Sequence, residues 1–243
     1  TLNLISIQTI TENPDFFGTK TNTTKVDGNS LTLVSGQVEG TYDFNSVFDL
    51  GATYTSYVES FIDILQLNYA NLFDDPTESF DLREGLFDGD PAAYDGSTAV
   101  VQVATTLDDP TSATATFTPF NTLSAGSFSA RGYKFRAVLT TNNLDVAPKV
   151  TRLEVKIDMP DVIQSANDIQ FTGTKVVAFP AGFYNTSTPA VSTSITGLSS
   201  GDYVEITSKT HTGFTITAKD SSGTQLTTQT ELDYVARGYG KET

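Results

Sequence analysis

The chain has 243 residues, of which 38% are hydrophobic, with no cysteine, one histidine and a formal net charge of −15. The lack of cysteine excludes disulfides, thiolate zinc sites and cysteine nucleophiles, and a catalytic triad or multi-histidine metal site would depend on His211 alone. No apolar run reaches the about 18 residues of a membrane span, so we expect no membrane insertion.

Acidic residues are concentrated in the first part of the chain. Residues 1–130 carry 18 Asp and Glu against three Lys and Arg, whereas residues 131–243 carry 11 of each. An acidic surface repels phosphates, so we expect no nucleic-acid partner and attribute most of the charge to solubility. No signal peptide is expected at the start, and Thr1 fits either a mature chain end or a piece of a longer protein.

Short apolar runs bounded by Gly, Pro, Asn or Asp recur through the first 160 residues. They are rich in β-branched and aromatic residues, which is typical of strands. The predicted strands are 31–34, 40–44, 99–105, 113–117 and 132–139. Turns are predicted at Asp27-Gly28-Asn29, Asp95-Gly96, Asp109-Pro110 and Asn142-Asn143. This spacing of strands and turns predicts a β-sandwich.

The segment 57–72 fits two periods. An apolar series that starts at Val58 recurs at helical spacing, but Tyr57, Phe61 and Leu65 also lie on one face of a strand. Because β-branched residues are frequent in 58–64 and the surroundings are β, we predict a strand.

Residues 133–157 show the clearest alternation in the chain. The apolar positions of the two runs are Tyr133, Phe135, Ala137 and Leu139, then Leu153, Val155 and Ile157. This pattern predicts a half-buried antiparallel pair that resembles a hairpin. Six of the 14 Lys and Arg lie between 131 and 156. They fit a basic ribbon that meets an anionic glycan or an acidic neighbour, but we favour two solvated strand faces.

Pro160 lies between two acidic residues and is predicted to end a strand, with residues 161–168 as a short polar connection. A domain boundary is therefore predicted between 160 and 161. The following strands are predicted at 169–172, 175–179, 190–195, 203–209, 213–218 and 232–236, with a hairpin turn from Thr210 to Gly213. The predicted fold is all-β, with two jelly-roll-like β-sandwich modules in tandem at 1–160 and 161–243.

Two parts of the chain resemble known families. The first pattern comprises Val177, Phe179, Pro180, Phe183, Pro189, Val191, Ile195 to Leu198 and Thr212 to Ile216. It is similar to H-type lectins, and the ending "DYVARGYG" at 233–240 looks like the closing strand of related domains at bacteriophage fibre tips. Segments 48–56, 85–89, 100–110 and 130–160 resemble the galactose-binding-like jelly roll of central-fibre, host-specificity proteins of tailed phages.

These resemblances imply a structural virion protein of a phage tail fibre or tail tip that is extracellular and recognises a host-surface glycan. They also imply a homotrimer that contacts other phage tail proteins. H-type lectins bind N-acetylgalactosamine-like sugars at loop ends shared between protomers. Two alternatives stay open: a purely structural tail or adhesin segment without a sugar site, and a carbohydrate-binding module of a polysaccharide-degrading protein. We expect no enzymatic activity, because no carboxylate pair or nucleophile motif stands out.

A glycan site needs an aromatic face for the C–H patch of a sugar and a few polar groups for its hydroxyls. The candidate contacts are Tyr184, Asn185, Asp202, Tyr203 and His211, with Arg237 and Tyr239 as weaker ones. Each also fits an ordinary structural role. Asn185 and Asp202 suit turns, and for His211 we favour a solvated turn residue over a ligand contact.

Acidic loops at 72–81, 87–95 and 107–110 offer several of the hard oxygen ligands that Ca²⁺ prefers. Their spacing does not match a calcium-binding loop of the D-x-D-x-D-G type. We therefore predict solvated acidic loops and no cofactor, and a structural Ca²⁺ stays open as the alternative.

Overall fold

The computed structural model describes residues 6–68, 96–184 and 188–240, and these form strands and no helix. The strands of the first part are β1 (Ser6–Thr11), β2 (Thr19–Thr21), β3 (Thr23–Val26), β4 (Ser30–Leu33), β5 (Glu39–Asp43), β6 (Phe48–Asn68), β7 (Thr98–Thr106), β8 (Asn121–Thr122), β9 (Gly126–Thr140) and β10 (Val146–Asp158). Those that follow are β11 (Asp161–Thr172), β12 (Thr174–Ala178), β13 (Ala190–Thr196), β14 (Tyr203–Thr210), β15 (Gly213–Lys219) and β16 (Gln229–Tyr239). The predicted all-β class is confirmed.

Most of the predicted strands and turns of the first part are confirmed. β4, β5, β7 and β9 cover the predicted strands at 31–34, 40–44, 99–105 and 132–139 to within a residue or two at most ends. β6 confirms the strand prediction over 57–68, and the rest of that prediction lies outside the described residues. The Asn29 N–H donates to the Val26 carbonyl across the predicted turn between β3 and β4.

The predicted pairing of the two runs in 133–157 is wrong. β9 and β10 lie on β6 instead, β9 along residues 48–58 and β10 along residues 57–68. The predicted inward positions are confirmed, because their seven side chains are at most 2% exposed. A period of two reports which side of a strand is buried, but it does not report which strand is the neighbour.

One buried cluster fills the first part of the molecule. β5, β7 and β9 contribute residues such as Tyr42, Val101 and Phe135, while β4 and β10 contribute residues such as Leu31 and Leu153. β6 joins these two groups of strands, since its first half pairs with β9 and its second half with β10. The two halves of the continuous sheet therefore face each other across a shared core, as in a β-sandwich.

A polar contact is enclosed in this core. The Tyr42 side chain, which is fully buried, donates its hydroxyl proton to the Glu12 carboxylate and accepts the Gly18 N–H at 2.8 Å. Glu12, which is 8% exposed, also accepts the Asn45 N–H at 3.3 Å. The Phe16 ring packs edge-on against Tyr42 at 5.6 Å. Burial, reinforced by Glu12, raises the pKa of Tyr42 well above its usual value.

Alkaline pH is expected to destabilise the protein. Burial raises the pKa of Tyr42, Tyr133, Tyr184 and Tyr234 above that of an unfolded tyrosine, which is about 10. Above that pH the unfolded chain loses protons that the folded chain keeps, so the free energy of unfolding falls as pH rises. Urea unfolding at a series of pH values checks this. Phenolate absorbance of these residues is expected to develop together with unfolding, and its appearance in a fully folded protein would contradict the prediction.

The strand predicted at 113–117 is wrong. Residues 111–114 form turns and 115–120 run as irregular chain. The Asp108 carboxylate accepts the Thr116 N–H at 2.8 Å, and the Ser112 carbonyl accepts the Ala115 N–H at 3.1 Å. Local acceptors thus take the backbone N–H groups of Ala115 and Thr116, which in a strand would donate to a neighbouring strand.

The second part of the molecule has two three-stranded sheets, in the orders β11-β16-β13 and β12-β15-β14. All six strand predictions and the turn from Thr210 to Gly213 are confirmed. The polar connection predicted at 161–168 is wrong, because β11 begins at Asp161 and pairs with β16 from there. β11 lies at the edge of its sheet and exposes most of its side chains, so its sequence is polar although it is a strand.

A second buried cluster lies in this part and includes Phe179, Phe183, Phe214 and Tyr234. The buried residues on either side of the predicted boundary therefore belong to different clusters, although the partly buried Tyr184 and Tyr239 pack against the first. The division into two domains stays a prediction.

Candidate functional site

Tyr184 packs against the first core instead of projecting freely from its loop. Its ring meets that of Tyr54 edge-on at 5.5 Å and that of Tyr239 at 6.0 Å, and its N–H donates to the Tyr239 carbonyl at 2.9 Å. Burial raises the pKa of Tyr184, and the nearby Tyr239 and Asp49 raise it further. Of the candidate contacts, the structure thus brings Tyr184 and Tyr239 together. Asn185 lies outside the described residues.

Asp202 and Tyr203 lie at one end of β14. The Asp202 carboxylate accepts the Ser199 N–H at 2.8 Å, and its own N–H donates to the Ser199 carbonyl, so it closes a turn. Tyr203 is 44% exposed and is free to meet a ligand from solvent.

His211 follows the other end of β14, and its carbonyl accepts the Phe183 N–H at 2.9 Å. Tyr203 is the first of the eight residues of β14, so at about 3.3 Å per residue His211 lies about 20–25 Å from it. One sugar ring cannot contact both residues, so the predicted contacts do not form a single site. Arg237, the weaker candidate, pairs with Asp161 at 2.9 Å.

A cleft of about 310 Å³ lies elsewhere, on the first part of the molecule. It opens between residues 43–47, which start at the last residue of β5, and the irregular segment 115–120. Its lining is formed by Asp43, Phe44, Ser46, Val47, Phe120, Lys134 and Phe135. We refer to it below as the Asp43–Lys134 cleft.

Register explains why these residues meet. β5 and β9 are neighbours, and Asp43 lies opposite Arg136, so Lys134 is two residues along the same outward face of β9. The segment 115–120 crosses this face. The Lys134 ammonium lies 4.0 Å from the centre of the Phe117 ring, and the Arg136 guanidinium lies 4.2 Å from that of Phe120. Two cation–π contacts therefore attach the segment to the sheet.

The charged groups of the cleft differ in how they are engaged. Arg136 donates to the Gln102 side-chain oxygen at 2.7 Å. Among the described residues, neither the Asp43 carboxylate nor the Lys134 ammonium has a hydrogen-bond or ion-pair partner. The cleft therefore offers a carboxylate that can accept hydrogen bonds and an ammonium that can donate them while it lies over the Phe117 ring.

Sequence reasoning missed this cleft. The sequence feature that could have indicated it is the placement of Lys134 and Arg136 on the outward side of their strand, which we interpreted as a solvated face. Phe120 could not be placed above that face, because the segment before it was predicted to be a strand of its own.

The acidic loop at 107–110 uses its oxygens internally. Asp109 accepts from Thr111 and pairs with Arg131 at 3.0 Å, and both contacts lower the pKa of that carboxyl. Arg131 also binds Asp49 through two hydrogen bonds. In the ranges that the structure describes, no group of three or more potential metal ligands comes together. The loops predicted at 72–81 and 87–95 lie outside those ranges.

Comparison with protein-family models, with curated proteins and with solved structures finds no significant match. Within the part of the chain that is described, no helix is long and apolar enough to cross a membrane.

Proposed function

We propose that this chain is a non-enzymatic, structural protein of a bacteriophage tail fibre or tail tip, which assembles as a homotrimer and attaches the virion to a host-surface glycan. The resemblances at 130–160 and 176–240 support the proposal, as does the all-β architecture with two buried clusters. The observation that carries it is an exposed apolar patch on the outer face of the β11-β16-β13 sheet.

This patch is centred on Ile163 and Val235, which are 67% and 48% exposed. Val235 has the small side chains of Ser165 and Ser192 on either side of it in the register. Ile163 lies opposite Arg237, whose ion pair with Asp161 at 2.9 Å forms a charged border to the patch. Exposed apolar surface bordered by polar residues is typical of protein–protein contacts, and small neighbours allow close approach. We assign this face to contacts between protomers of the trimer.

Light scattering during size-exclusion chromatography tests the assembly. The expected mass is three times the 26.1 kDa of one chain. Ile163→Asp is expected to shift the protein toward monomer, because it places a charge in the contact. Leu107→Asp is the matched control, since Leu107 is also 67% exposed but lies in the first part of the molecule. A monomeric unmodified chain at micromolar concentration would count against the trimer.

A glycan array tests the attachment role separately. Binding to one or more host-surface glycans is expected. A trimer that binds none of them would favour the purely structural alternative, and release of reducing sugar from host polysaccharide would favour the enzymatic one.

A further inference from the structure

We propose that the Asp43–Lys134 cleft binds a single uncharged sugar ring of the host glycan, an inference that rests on the proposed attachment function. Asp43 accepts hydrogen bonds from sugar hydroxyls, Lys134 donates to them, and Phe120 covers an apolar face of the ring. None of these residues belongs to the contacts predicted from the sequence.

The dimensions suit one ring. A volume of about 310 Å³ lies at the lower end of the range of small-ligand pockets. The inner part of the cleft is apolar and fixed, because Phe44 and Phe135 are 8% and 2% exposed. The rim at Ser46 and Val47 is exposed, which lets the rest of a glycan chain continue into solvent. The cleft is therefore shaped to hold the end of a larger molecule.

The polar groups point to hydroxyls as the partners. Asp43 and Lys134 have no hydrogen-bond or ion-pair partner among the described residues, although the Lys134 ammonium lies over the Phe117 ring. Both side chains are only half-buried, so their hydrogen-bonding groups remain hydrated until a ligand arrives. A sugar hydroxyl can donate to a carboxylate and accept from an ammonium, so neighbouring hydroxyls satisfy both groups at once. A hydrogen-bond acceptor and a hydrogen-bond donor at one opening are suited to a ligand with several hydroxyls.

The charge balance points to an uncharged sugar. One free anion and one free cation line the cleft, so neither an acidic nor a basic sugar gains a net attraction there. Arg136, the nearest further cation, is already held by Gln102 and by the ring of Phe120. That contact also fixes the orientation of Phe120, which lines the cleft as a rigid aromatic surface of the kind that packs on sugar C–H groups.

Saturation-transfer NMR with methyl glycosides of neutral hexoses, and with uronic acids for comparison, tests the proposal. At least one neutral sugar is expected to bind, and Asp43→Asn or Lys134→Gln is expected to weaken it at least about tenfold. Lys156→Gln is the matched control: that ammonium also lies over a phenylalanine ring, Phe61 at 4.6 Å, but it does not line the cleft. Its affinity is expected to be unchanged.

Three results would overturn the inference: no binding of any neutral sugar, binding that both cleft variants retain, or tighter binding of uronic acids. Binding that survives both cleft substitutions would move the sugar site elsewhere and leave the attachment function intact. Failure of the attachment function itself would be seen as a chain, trimeric or monomeric, that binds nothing on the glycan array. Circular dichroism of each variant confirms that a loss of binding is not a loss of fold.

Discussion

Replacing Phe183 by alanine is expected to lower the free energy of unfolding by about 3–5 kcal/mol. The side chain is fully buried in the second core, and its ring meets that of Phe179 edge-on at 5.2 Å. The substitution removes the whole ring and leaves a cavity that the two sheets cannot close without moving. Both the lost transfer of apolar surface and the cavity contribute to the loss.

Urea unfolding followed by circular dichroism measures the effect. Phe17→Ala is the matched control, because the same ring is removed at a position that is 74% exposed, and its stability is expected to stay within about 0.5 kcal/mol of the unmodified protein. A loss below about 1 kcal/mol at Phe183 would contradict its placement in the core.

A substitution at Gly238 in β16 tests the packing of Phe183 from the other side of the contact. A Cβ on Gly238 would lie 2.6 Å from Cδ1 of Phe183, closer than carbon atoms approach. Because the Phe183 ring is enclosed and cannot move aside, Gly238→Ala is also expected to destabilise the second core. The first glycine of the "GYG" ending therefore has a packing role.

Replacing Tyr42 by phenylalanine is expected to cost roughly 1–3 kcal/mol or more, although it removes only one oxygen atom. The Glu12 carboxylate loses the hydrogen bond from the Tyr42 hydroxyl and keeps the longer one from the Asn45 N–H. The Gly18 N–H loses its acceptor. A buried polar group without its partner retains the cost of leaving water, and that cost is larger for a charged group.

A double-mutant cycle with Glu12→Gln separates this contact from general packing. The two substitutions together are expected to cost less than the sum of their separate effects, because each removes the same hydrogen bond. Tyr57→Phe is the control, since its hydroxyl is on a side chain that is 44% exposed. Equal, small effects at Tyr42 and Tyr57 would show that the buried contact contributes nothing to stability.

The sequence predicts the strands well because burial of one side of a strand makes apolar and polar residues alternate, whichever strand lies beside it. Tyr133 and Leu153 are buried as their alternation indicates. The pairing of β9 and β10 was predicted wrongly, since each finds its partner in β6, 68–85 residues earlier for β9 and 78–101 residues earlier for β10. Long-range pairing depends on the fit of whole sheets, which no local pattern contains.

The candidate site was less predictable for the same reason. Phe120 and Lys134 are ordinary residues in the sequence, and they become neighbours of Asp43 only through the register of β5 on β9. Tyr184, in contrast, was noticed because it lies in an unusual segment between two prolines. The structure places it against Tyr54 at the first core, whereas Phe183, the residue before it, lies in the second.

The ladder between β11 and β16 has a further consequence. Asp161, where the chain enters the second part, pairs with Tyr239, where the chain leaves it, and paired strands lie about 4.8 Å apart. Everything between these two residues is a closed excursion that departs from and returns to one spot. Because entry and exit lie side by side, replacing this excursion by another β module would leave the strands of the first part in place.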